Sequence, residues 1–152
     1  MKDIVFYRTT GQYGFLSNLY PCEVCIDGKM FVSAEHAYQY GKPNKQAIKD
    51  YIQIAPLPRL AAIVGHGLFM YDVTYDWALI KAERMRQVLE SKFSNEALRM
   101  KLLETGDAVL IEGSKTDAFW GIGKKGAGKN MLGSLLMELR EILRREPDGS
   151  SV

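Results

Sequence analysis

The stretch from Asp117 to Arg140, DAFWGIGKKGAGKNMLGSLLMELR, sets an acid, a tryptophan, five glycines and three lysines against a strongly amphipathic helix. Glycine lets a backbone turn tightly and come close to a ligand, and the free N–H groups that open a helix favour an anion. The pattern predicts a ligand-binding loop that holds a phosphate or another negative group. Two nucleotide motifs overlie it, and neither fits. Gly123 to Lys129 matches GxxxxGK, but Asn130 stands where magnesium binding needs Ser or Thr, and only one helix and a short tail follow. Gly121, Gly123 and Gly126 spell GxGxxG, yet no later strand completes a βαβ unit or supplies an acid for a ribose.

Further residues could do chemistry. Glu35 falls at the second position of a helix capped by Ser33, beside the positive end of the helix dipole, which keeps a carboxylate ionised. Such a group either stabilises the first turn or, in a closed site, orients water as a base and stabilises a developing cation. Asp117, ahead of Trp120, serves equally as a site acid or as an acceptor that fixes its own loop. Trp77, Lys81, Arg84 and Val88 share one helical stripe, so two cations lie among inward-facing residues. Their heads either snorkel to water or hold a phosphate. Cys22 and Cys25 form a CxxC, with His36 and His66 as conceivable partners for zinc. The spacing argues against a metal, because residues three apart in a strand diverge and the histidines are far from finger spacing.

These residues need elements to hold them. Ile4 to Tyr7 reads as a strand, and Cys22 to Val32 as a hairpin around the Asp27–Gly28 turn. A helix runs from Ser33 to about Gly41, and Pro43–Asn44 restarts a second toward Ile54. Pro56 and Pro58 precede a short helix through LAAIV, which Gly65 or Gly67 closes. Thr74 is placed to cap the longest helix, Trp77 to Phe93, and Ser94 the next, which ends at Gly106. AVLIE at 108–112 is a strand feeding the glycine-rich loop, and Leu132, Leu135, Leu136, Leu139 and Leu143 form the core stripe of the last helix. Arg140 flanks that stripe.

At 152 residues and 47% apolar content, the chain has a core for one domain, taken as 1–146, with a loose tail at 147–152. A net charge of +2 speaks against bulk attraction to nucleic acid and leaves Lys124, Lys125 and Lys129 as a local patch. No run has transmembrane length and MKDIVFYRTT is no secretion signal, so a cytoplasmic protein with reduced cysteines is expected.

Taken together, FLSNLYPCEVCIDGKMFVSAEHAYQYGK at 15–42, WALIKAERM at 77–85 and LLETGDAVLIEGSKTDAFWGIGKKGAGKNMLGSLLMELR at 102–140 resemble the NADAR superfamily, the YbiA-like N-glycosidases. The resemblance covers nearly the whole chain, in the family's order. It implies a small, mainly helical α+β domain with a small N-terminal antiparallel β element. The implied activity is metal-free and cofactor-free hydrolysis of the C1′–N bond of ribosylated nucleobase-like compounds. Substrates implied are ribosylamino-pyrimidine phosphates of riboflavin biosynthesis or ADP-ribosyl conjugates; ADP-ribosyl-guanine in nucleic acid and non-catalytic binding of NAD or ADP-ribose are the alternatives. By the same resemblance Glu35 is the leading catalytic carboxylate, with Gln39 and Lys42 further along its helix. Asn18 is a ligand contact, Asp117, Trp120 and Gly121 form a second block, and Asn130 a third. Trp120 would then stack on the base, while Lys42, Lys81 and the Gly121–Lys129 loop would hold phosphate. All of these segments are expected to meet in one cleft. Where the family often has Arg after Gly65, this chain has His66, which puts a phosphate contact there in doubt.

Overall fold

The computed structural model describes residues 2–68 and 72–147, so the tail expected at 147–152 lies outside the described residues apart from Pro147. In chain order the elements are β1 (Ile4–Phe6), β2 (Pro21–Ile26), β3 (Lys29–Ser33), α1 (Ala34–Tyr40), α2 (Gln46–Ile54), α3 (Pro58–His66), α4 (Trp77–Lys92), α5 (Glu96–Glu104), β4 (Leu110–Glu112) and α6 (Met131–Arg145). This is the mainly helical α+β architecture that the sequence predicts. Packing divides the chain into two compact units, one formed by residues 18–92 and the other by residues 1–17 with 93–152.

In the 18–92 unit, β2 and β3 form the expected antiparallel hairpin, with Cys25 opposite Met30 and Ile26 opposite Lys29. Asp27 and Gly28 both have positive φ, 51° and 77°, as a two-residue turn matched to the strand twist requires. The hairpin delivers Ser33 to the start of α1, where its Oγ accepts from His36 N at 3.1 Å. That same Oγ lies 2.7 Å from His36 Nδ1, and His36 Nε2 lies 2.8 Å from the Ala55 carbonyl. A carbonyl can only accept, so in the neutral ring Nε2 carries the proton and Nδ1 accepts from the serine hydroxyl. Both imidazole nitrogens are thereby engaged, which leaves His36 unsuited to a metal. Helix α1 packs against β2, β3, α2, α3 and α4, and so sits at the centre of this unit. Ile52, Ala55 and Ala61 form a buried cluster joined by Tyr40, Ile48, Leu60 and Val64.

In the other unit, β1 pairs in parallel with β4, Val5 opposite Ile111. Helix α6 buries Leu132, Leu135, Leu136, Leu139 and Leu143, the stripe its 3.6-residue period predicts. Arg140 is also buried and donates to Thr105 Oγ1 at 2.8 Å, a structural contact.

Two expected caps are displaced. Thr74 does not cap α4 with its side chain: its Oγ1 donates to the Gly41 and Lys42 carbonyls at 3.3 and 3.0 Å, closing the C-terminal end of α1 instead. The cap of α5 is Asn95 rather than Ser94, its Oδ1 accepting from Leu98 N at 3.1 Å. Helix α2 begins at Gln46 rather than at Pro43–Asn44, because Pro43 bridges to Val73 and Asn44 N donates to the Asp72 carbonyl.

Candidate functional site

Asn18, Glu35, Gln39, Lys42 and Lys81, all named above as catalytic or ligand-binding candidates, belong to the 18–92 unit. Glu35 is the second residue of α1 and half-buried, and its backbone N–H donates to the Asn18 carbonyl at 3.0 Å, tying Asn18 to the helix start. One turn on, Gln39 is buried and its Nε2 donates to Glu35 Oε1 at 2.9 Å. A donor on the carboxylate favours its ionised form, and so does the nearby helix N-terminus. Just past the helix end, Lys42 Nζ donates to the Gly65 carbonyl at 2.8 Å. Burial, then the like charge of Lys81, push the Lys42 ammonium below its ordinary range, with Glu35 pulling the other way. Lys42 therefore feels both the Lys81 ammonium and the Glu35 carboxylate. Asn18 Nδ2 rests on Met85 Sδ at 3.4 Å, a weak acceptor. Among the described residues, the buried Asn18 Oδ1 and Gln39 Oε1 have no hydrogen-bond partner.

Arg84, which shares the Lys81 stripe, has a different task. Its Nε and Nη2 donate to the Ala37 carbonyl at 3.1 and 2.6 Å, and Lys49 Nζ donates to the Tyr40 carbonyl at 3.0 Å. Two cations and Thr74 thus satisfy the last carbonyls of α1, at the negative end of its dipole. With Ser33 at the other end, the short helix that carries Glu35 and Gln39 is pinned at both termini.

The remaining candidates belong to the other unit. Asp117 Oδ1 accepts from both Phe119 N and Trp120 N, at 2.9 and 2.8 Å, so this carboxylate fixes the turn that presents the indole. Trp120 is half-buried and its ring meets Phe119 edge-on, with centroids 4.8 Å apart. Lys129 is exposed, with Nζ 5.7 Å from the Phe119 ring centroid.

The anion site expected at the opening of α6 is corrected by the structure. Lys129 N donates to the Ala118 carbonyl, Asn130 N to Gly121, Met131 N to Phe119 and Leu132 N to Trp120, at 2.8 to 3.1 Å. The loop folds back over the helix start, and its own carbonyls take the N–H groups that an anion would use. Asn130 sits at φ 49°, ψ 44° with its side chain turned to β4: Oδ1 accepts from Glu112 N at 2.8 Å and Nδ2 donates to the Leu110 carbonyl at 2.9 Å. Its carboxamide stands in for a neighbouring strand. The glycines follow from this compact path: Gly123 and Gly126 have positive φ, and a Cβ on Gly121 would collide with Glu112 Oε2. Sequence reading missed Glu112, whose Oε2 accepts from Ser114 N at 2.8 Å, because an acid at a strand end carries no local signal of such a bond.

Residues 5–144 match the family model described as the NADAR domain. The chain belongs to the NADAR domain family. It is 38% identical to N-glycosidase YbiA of Escherichia coli (strain K12), over 96% of this chain and 92% of that protein. It is 39% identical to an N-glycosidase of Nostoc punctiforme, with 93% of this chain and 92% of the other aligned. A riboflavin biosynthesis protein of Vibrio vulnificus is 37% identical over 94% of this chain, which spans 39% of that longer protein. The NMR structure of E. coli YbiA is similar in fold, with a TM-score of 0.85 at 39% identity, over 95% of this chain and 87% of that one. In this NADAR chain no helix among the described residues is long and apolar enough to cross a membrane, and no group of three or more His, Cys, Asp or Glu is placed to hold a metal.

Proposed function

We propose that this NADAR chain is an N-glycosidase that hydrolyses the C1′–N bond of a phosphorylated, ribosylated nucleobase-like small molecule, with Glu35 as its catalytic carboxylate. The observation that carries the reading is the α1 arrangement: a carboxylate at a helix N-terminus, held by the Gln39 amide and attracting the Lys42 ammonium, which also feels the charge of Lys81. As the C1′–N bond breaks, its electron pair leaves with the base and positive charge grows on the ribose. An ionised Glu35 stabilises that charge and takes a proton from the water whose oxygen bonds to C1′; that proton ends on the leaving nitrogen, which regenerates the carboxylate. Lys42 and Lys81 are suited to hold the substrate phosphate, which orients the sugar for reaction. Asn18 offers a carbonyl oxygen to a substrate donor. The names of the E. coli and Nostoc relatives support cleavage of an N-glycosidic bond, and that of the Vibrio protein supports a small-molecule substrate.

Mass spectrometry of products from a panel of ribosylamino-pyrimidine phosphates, NAD and ADP-ribosyl-guanosine tests the reaction. Release of free base from a ribosylamino-pyrimidine phosphate is the expected result. Intact substrates throughout the panel would refute it.

A further inference from the structure

We infer that Gly65 is a positioning residue that sets both the Glu35 carboxylate and the Lys42 ammonium, an inference that rests on the Glu35 reading above. Gly65 is buried in the last turn of α3, where glycine weakens a helix relative to alanine. Its φ is not among the positive values that demand glycine, so backbone conformation does not explain it. Room does. A Cβ on Gly65 would overlap Gln39 Oε1 and Cδ and lie 3.1 Å from Gln39 Cγ. The bare Cα therefore receives the carbonyl side of the Gln39 amide, and the amide is left with one orientation: oxygen toward Gly65, Nε2 toward Glu35 Oε1. The reverse orientation would set an amide oxygen against a carboxylate oxygen, which electrostatics forbids. On its other side, the Gly65 carbonyl takes the Lys42 ammonium at 2.8 Å. One residue thus locates the anion through Gln39 and the cation directly.

An alanine at position 65 forces the amide off Glu35 while its own carbonyl stays available to Lys42. With a ribosylamino-pyrimidine phosphate as substrate, Gly65→Ala is expected to lower kcat about tenfold or more while KM changes by less than about threefold. The acid limb of the kcat profile is expected to move to higher pH, because the ionised carboxylate loses a donor. Gln39→Ala is expected to produce the same two changes, and adding Gly65→Ala to it to produce no more. Independent, multiplicative losses in that cycle would overturn the inference, as would a folded Gly65→Ala protein with unchanged kcat and acid limb. If Gly65→Ala alone does not fold, the double variant, in which room is restored, is expected to fold; an equally unfolded double variant counts against the inference. A readout without turnover separates it from the catalytic reading. The Gln39 side-chain amide protons, followed by NMR, are expected to titrate with Glu35 in the wild-type protein and to lose that response in Gly65→Ala. Should Glu35→Gln retain full turnover while this titration behaves as expected, the catalytic reading falls and the positioning role stands.

Discussion

At the scale of single residues, the buried charge of Lys92 makes the sharpest prediction outside the site. Its side chain is fully buried at the end of α4, with Nζ 5.8 Å from the Tyr20 ring centroid, and burial pushes its ammonium down to about 8 against an opposing pull from Cys22. The folded chain therefore gives up this proton more readily than the unfolded one. Below pH 8 both states hold it and the folded state carries the full penalty; from there toward the ordinary lysine value, stability rises as the folded state sheds it. The penalty is on the order of 3 kcal/mol. Burial also raises the Cys22 thiol, which works the other way above about pH 9, so the clean window lies below that. Thermal melts are expected to show wild-type stability rising from pH 7.5 to 9, and Lys92→Met to lack the rise. The same slope in both proteins would rule out Lys92 as its source. Of the residues named for chemistry, Glu35 was legible because a Ser cap two positions earlier fixes its place on the dipole. Arg84 was not: its partner, the Ala37 carbonyl, is 47 residues away, and nothing in the helical stripe announces it.

At the scale of elements, the glycine-rich segment was recognised but misread. Its composition signals close backbone approach, and the approach is real; the object approached is the segment's own helix rather than an anion. Asn130 decides this, because its carboxamide bonds β4 on both sides from 18 and 20 residues away. Asn130→Ala removes both bonds and places a Cβ residue with no local compensation at positive φ, so a loss of roughly 2–4 kcal/mol is expected in chemical denaturation. A loss below about 0.5 kcal/mol would show that the loop does not depend on this contact. Elements with local signals were read closely: the Asp27–Gly28 hairpin, the Ser33 cap, the α6 leucine stripe. The cap of α5 shows the limit. Ser94 and Asn95 are both good caps one residue apart, and only the geometry of the first turn selects Asn95.

At the scale of the whole molecule, the family and its α+β architecture were legible because three sequence blocks in one order constrain far more than any single motif. The pairing of β1 with β4 was not, since strands of three residues so distant in sequence carry no mutual signal. A formal charge of +2 supplies little field for a polyanion. No retention of a single-stranded DNA oligonucleotide at low salt is therefore expected, and steeply salt-dependent binding would favour modified nucleic acid as the substrate.

The most direct measurement is paired binding and turnover of a ribosylamino-pyrimidine phosphate by the wild-type protein and Glu35→Gln. The substitution keeps size and removes charge, so affinity is expected to stay within about threefold while kcat falls by about a hundredfold or more. Full turnover by a Glu35→Gln protein that binds normally would contradict the catalytic role of Glu35.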